Sequence, residues 1–324
     1  DHIVPGTAIE TSLDGSTTYR IEPRIEVAKP TYATASNNTN ITDTWQPVAG
    51  GVGTTMVAFP ATHSNKALYS DAGGSSWSAA IVDNDFVRPT CMVKCKGKLK
   101  YFIALGNGTK ANLSTAGTAW GSTAYNITQR PWVDIAEGPF SATSHTVYAI
   151  ADDSDELAKS TTDGTSWTYV SSGMGTGLKH IRYGNGKWMA VKADGTAYES
   201  IDNGTTWTST TRVCPTTYNV TDFAYGNGLF VAAVKPNGTA SFPFNPATPS
   251  TAISDGTSAT TMTFGLPSTF YISDTNSSEG ANNATWRPVA SSGIINELEW
   301  GLDYSDGVFC AVDTAGNIRT SDGG

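Results

Sequence analysis

The segment SIDNGTTW (200–207) sets Ser, Asp, Gly, Thr and Trp at fixed offsets, and variants of it recur along the chain. STTDGTSW (160–167) keeps the Ser, Gly, Ser and Trp places and moves the Asp by one; SDAGGSSW (70–77) moves it the other way. STAGTAW ends at Trp120, NATW at Trp286 and TDTW at Trp45, and the last two run on into near-identical text, WRPVASSG and WQPVAGG. TSDGG (320–324) is the first half of a further copy. A catalytic site normally occurs once. A box that returns this often is punctuation, and the fold follows from what it punctuates.

Aligning on the boxes exposes a longer unit. IRYGNGKWMAVKADGTAYESIDNGTTW (181–207) is the clearest copy, followed by FAYGNGLFVAAVKPNGTASFPF (223–244), with its box eroded, and LDYSDGVFCAVDTAGNIRTSDGG (302–324). Each has a β-rich run, an Asn-Gly or Asp-Gly turn, an apolar run, a second Gly turn, a third run and the box. Asn-Gly and Asp-Gly supply the positive φ of tight hairpins. The unit is therefore expected to be four antiparallel strands, A to D, with the box as the C–D turn.

Each box residue then has a structural part. Asp202 accepts backbone N–H bonds and fixes the turn, and Gly204 takes the positive-φ place. Ser200 and Thr206 bond across the hairpin, and Trp207 begins strand D and packs over the turn. Asp163, Trp167, Trp77, Trp120 and Trp286 take the same structural part in their boxes. The competing reading, a ligand or metal loop, does not explain the recurrence.

Most box intervals are about 40 residues, the length of a four-stranded propeller blade. The expectation is a single all-β domain over 1–324: a seven-bladed β-propeller of four-stranded antiparallel blades, with eight blades as the alternative. Two places disturb the count. The interval from Trp45 to Trp77 looks too short for four strands, and the box near Asn245 is eroded. Residues 7–50 also resemble 251–293. The chain stops inside a box and starts with HIVPG, which resembles the strand-D text RPVASSG. The N-terminal strand is therefore expected to supply the outer strand of the last blade and close the ring, removing an open edge. The start at Asp1, without Met or leader, reads as a processed chain or an excerpt.

Composition narrows the partners. Charged residues are 15% of the 324 and the net charge is −9, with CKGKLK (95–100) the only basic run, so no nucleic acid is expected. No stretch reaches 18 apolar residues, so no membrane span is expected. Cys91 and Cys95 lie on one face of a strand about 13 Å apart, too far to bridge. With Cys214 and Cys310 they read as small buried hydrophobes. The four His (His2, His63, His145, His180) lack ligand spacing, so no metal and no cofactor is expected. DDSDE (152–156) gathers carboxylates as a Ca²⁺ loop does, over Asp152–Asp155, but lacks the Gly and terminal Glu of the twelve-residue pattern, and a solvated B–C loop is the preferred reading. The N-x-S/T triplets at Asn107, Asn219 and Asn283 discriminate poorly in so Ser/Thr-rich a chain.

The boxes resemble the Asp-box, or bacterial-neuraminidase, repeat, which is carried by sialidases, two-propeller xyloglucanases, sortilin-type receptors and a photosystem assembly factor. The style GNGxFVAV followed by YxSxDGxTW is similar to propeller domains of phage tail and fibre proteins. A sialidase of this type implies three Arg clamping a carboxylate, a Tyr nucleophile with a Glu, and an Asp acid/base. TYRIEP (18–23) comes near the family's Y/F-R-I-P motif at Tyr19, Arg20 and Ile21, but Glu22 intrudes before Pro23. Arg88 and Arg130 stand near starts of inner strands, and Glu297 and Glu299 lie in NELEW; no further match appears.

The reading is thus a non-enzymatic propeller on a virion or other extracellular surface, binding a host cell-surface receptor or glycan beside other virion or tail proteins. A sialidase-like glycosidase and a structural decoration or assembly propeller are the alternatives. The A–B and C–D turns repeat, whereas the D–A and B–C segments vary: ATHSNK (61–66), DDSDE, VCPTTYNV (213–220) and NPATPS (245–250). Irregular loops on a rigid frame carry recognition. The expected binding residues are Arg88, Arg130, His180, Asp222 and Glu299, with Trp132 as a sugar platform or, alternatively, as packing between blades.

Overall fold

The computed structural model describes residues 45–50, 55–60, 67–71, 76–82, 89–95, 101–106, 108–120, 124–140, 145–226, 228–237, 240–243, 261–264, 269–273, 286–288, 300–305, 308–313 and 318–321. All belong to a compact unit, Ser36–Gly324. Expectations resting on residues 1–44, on Arg88 and on Glu299 lie outside the described residues, as does the pairing of residues 2–5 with the strand around Ile318.

Every described element is a strand. The first sheet is β1 (Trp45–Gly50), β2 (Met56–Pro60), β3 (Leu68–Ser70) and β4 (Ser78–Ala79). After β5 (Ile81–Val82), the second sheet holds β6 (Pro89–Cys95), β7 (Tyr101–Gly106) and β8 (Lys110–Ser114); β9 (Ala119–Trp120) leaves it to pair in parallel with β5, and β10 (Ala124–Asn126) is its fourth strand. The third is β11 (Trp132–Phe140), β12 (His145–Ala151), β13 (Glu156–Ser160) and β14 (Thr168–Ser171). The fourth is β15 (Leu178–Gly184), β16 (Lys187–Lys192), β17 (Ala197–Ser200) and β18 (Thr208–Thr210). The fifth starts with β19 (Tyr218–Gly226) and β20 (Leu229–Pro236); β21 (Ala240–Pro243) and β22 (Thr261–Phe264) form a separate hairpin, and β23 (Thr269–Ser273) and β24 (Trp286–Pro288) complete the sheet. β25 (Trp300–Ser305), β26 (Val308–Asp313) and β27 (Ile318–Ser321) form the sixth. First strands of successive sheets are neighbours: β1 by β6, β6 by β11, β11 by β15, β15 by β19 and β19 by β25.

Two expectations about the repeat give way. Four strands do fit between Trp45 and Ala79, because WQPVAG forms the first strand of its sheet and not the outer strand of an earlier one. Its Pro47 falls at the register shift between Gln46 and Ala49, where a missing N–H is tolerated. TASFPF is not the third strand of its unit either. TFYIS, a continuous β-branched and aromatic run, pairs with β20 in that place, and ASFP pairs with TMTF instead. Trp286 therefore opens the fourth strand of the sheet that begins at Tyr218, and the eroded box expected near Asn245 lies outside the described residues.

Second strands read apolar on consecutive residues because they face a neighbouring sheet on both sides. On β12, Val147, Ala149 and Ala151 join the core shared with Ile103, Leu105 and Trp132, while Tyr148 and Ile150 join the core shared with Leu178, Ile181 and Trp188. Met189 and Val191 of β16 pack with Phe223, Phe230 and Val234 of the next sheet. Cys91 and Cys214 are buried free thiols in these cores, as expected.

The boxes lock these interfaces. Gly204 N–H donates to Ser200 Oγ at 2.8 Å, and Gly164 to Ser160 Oγ at 2.8 Å. Asp202 Oδ1 accepts the N–H of Thr205 at 3.0 Å and of Thr206 at 2.9 Å, and its Oδ2 accepts the Thr206 hydroxyl at 2.6 Å. The Thr206 hydroxyl foremost, with the other donors, holds this carboxyl down at about 2. In the 160–167 box, Thr162 Oγ1 accepts Ser166 N–H at 2.9 Å in the place of Asp202, while Asp163 turns to accept His145 N–H at 2.7 Å. The box tryptophan packs towards the preceding sheet: Trp120 against Phe59 at 5.1 Å and Trp207 against Tyr148 at 6.4 Å between ring centroids. The box glycine lies there too, since a Cβ on Gly117, Gly164 or Gly204 would meet Val57, Ile103 or Tyr148.

Candidate functional site

The opposite edge of the sheets carries the varied chemistry. Four first strands share one irregularity near their start. Register shifts fall between Pro89 and Cys91, Trp132 and Asp134, Leu178 and His180, and Val220 and Asp222. Each bulge places one extra residue on the strand and re-aims the side chain beside it. Cys91, Asp134, His180 and Asp222 thereby occupy equivalent places.

Three of these places join through one arginine. Asp134 Oδ2 accepts Arg182 Nη1 and the Ile181 N–H, the latter at 2.9 Å, and its Oδ1 accepts its neighbour's N–H, Ile135, at 2.9 Å. Asp222 repeats the local motif, accepting Phe223 N–H at 2.7 Å. Its Oδ1 lies 4.0 Å from Arg182 Nη2 and 3.7 Å from His180 Nδ1. The network thus spans β11, β15 and β19. Burial pushes Asp134 above its ordinary range although Arg182 pulls it down. Burial, aided by Arg182 and Lys179, pushes His180 down to about 3, so the imidazole is neutral at pH 7. A guanidinium between two carboxylates, with a neutral imidazole beside it, presents hydrogen-bond acceptors and a charge that is already compensated.

Loops at the same edge continue the pattern. Arg130 pairs with Glu156 and lies 3.9 Å from Asp153. Lys179 Nζ donates to Asp152 at 2.6 Å across to the preceding sheet. Arg212 donates to the Asp194 carbonyl and lies 3.5 Å from its carboxylate. The acids of DDSDE are taken by different partners: Asp152 by Lys179, Asp155 by the Ser171 hydroxyl at 3.0 Å and Glu156 by Arg130. Asp153 shares Arg130 with Glu156, so the acids turn to three separate donors and do not converge on one point.

Of the expected binding residues, His180 and Asp222 are brought together, and Arg130 stands apart with Glu156. Trp132 is a correction: it is 0% exposed within the core that holds Ile127, Ile135 and Val147, and its indole donates to the Thr128 carbonyl at 3.2 Å. The packing alternative is the one that holds. Asp134 and Arg182 were missed. Setting RPTCM (88–92), PWVDI (131–135), GLKHI (177–181) and NVTDF (219–223) one above another puts Cys91, Asp134, His180 and Asp222 in one column, and that alignment was available.

No family model matches the sequence, and comparison with curated protein sequences finds no relative. Solved structures do match. YCF48 from Cyanidioschyzon merolae aligns with a TM-score of 0.53 at 10% identity, over 87% of this chain and 82% of that one. The WD40 repeats of RRP9 align with a TM-score of 0.54 at 8% identity, over 87% and 77%. The fold is a β-propeller. The GH74 enzyme of Niastella koreensis aligns with a TM-score of 0.51 at 15% identity, over 87% of this chain and 38% of that one. YCF48 bound to a D1 peptide aligns at 0.52 and 12%, over 92% and 86%. An enzyme and a peptide-bound protein thus share this architecture, and function has to be argued from the site.

Proposed function

We propose that the chain is a seven-bladed propeller, closed by its N-terminal strand, that binds a host cell-surface receptor or glycan without turning it over, as part of a phage tail or fibre or another virion surface appendage. The observation that carries this reading is the division between the two edges. At the box edge the side chains are spent on turn geometry and on packing between sheets. At the opposite edge, Asp134, His180, Arg182 and Asp222 spread polar groups over three first strands beneath individual loops. Irregular loops above a rigid polar floor suit recognition. YCF48 bound to a D1 peptide is a precedent for ligand binding on this fold.

Nothing in the described residues favours the sialidase-like reading: Arg130 is held by Glu156 of β13, and Arg182 is held by Asp134. The test is the purified domain on a glycan array and on host cells, run beside fluorogenic glycosidase assays. Saturable binding without hydrolysis is expected. Hydrolysis would establish the glycosidase, and no binding at all would leave a decoration or assembly propeller. Deleting residues 1–6 tests closure separately: the melting temperature should fall, and an unchanged melt would refute the closing strand.

A further inference from the structure

We infer that the ligand of this edge is an uncharged, hydroxyl-rich glycan and that acidic glycans are rejected. This rests on the reading of the edge as the binding surface. An anionic sugar needs a cation to meet it, in bidentate form for a carboxylate or sulfate. Four cations of the edge are already engaged by protein acids: Arg130 by Glu156, Lys179 by Asp152, Arg182 by Asp134 and Arg212 by Asp194. The Asp134 pair cannot swing aside to release its guanidinium, because the same carboxylate also accepts two backbone N–H groups, from Ile135 and Ile181. An incoming anion at Arg182 would therefore stand beside two fixed carboxylates, Asp134 and Asp222, and be repelled by both.

The same carboxylates suit hydroxyl donors. A carboxylate has about four acceptor positions, and charge-assisted O–H bonds are the strong ones. The edge already contains one such contact, from the Ser171 hydroxyl to Asp155 at 3.0 Å.

An independent observation points the same way. In the fourth sheet the link from second to third strand is the tight turn Ala193–Thr196, with Gly195 N–H donating to Lys192 O at 3.0 Å. In the fifth sheet the same link runs from Asn237 to Ser268 and contains its own hairpin, β21–β22. Its root is fixed at this edge, where Asn237 N–H donates to the Thr217 carbonyl at 2.7 Å. Over those residues Asp255 is the only charged side chain; Thr, Ser, Ala and Pro dominate, with Phe242, Phe244 and Phe264. A link of this composition carries one acid and no Lys or Arg, so it supplies an acidic sugar with no counter-charge.

The experiment is a printed array of matched oligosaccharides, each in neutral, sialylated and sulfated form, followed by calorimetry on the best pair at low and high salt. The neutral member should bind at least about tenfold tighter than its acidic partner, with the gap narrowing as salt rises. Asp222→Asn should narrow the gap at low salt; Asp153→Asn, at a rim position, does so where Asp222→Asn does not fold. Equal or tighter binding of the acidic member overturns this inference and leaves the binding reading standing. A blank array with protease-sensitive binding to host cells overturns it in favour of a protein receptor. A blank array with no cell binding removes the proposed function itself.

Discussion

The two edges of the sheets use the same residue types for opposite ends. At the box edge Asp202 is exposed and saturated with local donors within four residues of chain, so it fixes a turn and reaches nothing else. At the other edge Asp134 is largely buried and accepts from a sheet away, 47 and 48 residues along the chain. One aspartate is explained by its own peptide segment; the other has meaning only once three sheets stand side by side. Local motifs repeat because each blade needs its turn. Long-range networks do not repeat, because each position differs in its neighbours.

The largest break in this comparison comes from the box glycines. Gly204 has φ +78°, and a Cβ there would lie 2.2 Å from the Tyr148 hydroxyl oxygen of the preceding sheet. Gly204→Ala combines left-handed strain with overpacking and should cost about 3 kcal/mol, read as a lower urea midpoint. Tyr148→Phe in the same background removes the nearest clashing atom, so partial recovery is expected. A full-strength melt for Gly204→Ala alone would mean that the box does not lock the interface.

Next comes the other edge. Arg182→Ala leaves Asp134 buried without its cation, and about 2 kcal/mol should be lost. Removing both partners, Arg182→Ala with Asp134→Ala, should recover part of that loss, because no uncompensated carboxylate then remains. Ligand binding should fall in both variants, which separates this edge from the box edge, where stability moves and binding does not.

Gly186→Ala is the control for Gly204→Ala. Its φ is +74°, nearly the same, but a Cβ there meets nothing within 4 Å. Only the backbone term remains, about 1 kcal/mol. If the two glycine variants melt alike, the contact with Tyr148 contributes nothing and the box is a turn alone.

The sequence made one edge legible and left the other dark for a physical reason. Ser200, Asp202 and Gly204 announce themselves because the hydrogen bonds they make close within the box itself. The packing of Gly204 and Trp207 on the preceding sheet was not legible, since nothing local marks Tyr148 as their partner. Four-stranded units were legible from Asn-Gly and box punctuation where the text is regular, between Trp132 and Thr210. They were misjudged at TASFPF, where an insertion carries strand-like text, and at WQPVAG, where near-identical words serve a first strand here and a fourth strand at Trp286. At the opposite edge, His180 and Asp222 could be singled out from their place near strand starts. Arg182 and Asp134 were not, because bulges shift which residue faces inward and strict alternation hides the shift.

The smallest expected effect belongs to Asp202 itself. Its carboxyl is solvent-facing, so Asp202→Ala should cost about 1 kcal/mol or less at pH 7, with the rest of the box still held by the Ser200 bond to Gly204 N–H. The pH dependence is sharper than the magnitude. The folded carboxyl titrates at about 2, below the ordinary range near 4 of an unfolded aspartate. A depressed folded value contributes stability that is fully present above the unfolded value and is lost as pH falls from about 4 towards 2. Wild type and Asp202→Ala should therefore differ at pH 6 and converge by pH 2 in paired thermal melts, with ligand affinity at pH 7 the same in both. A constant difference down to pH 2 would mean that Asp202 acts through packing and not through its charge. A loss of binding at pH 7 with an unchanged melt would move the functional surface to the box edge.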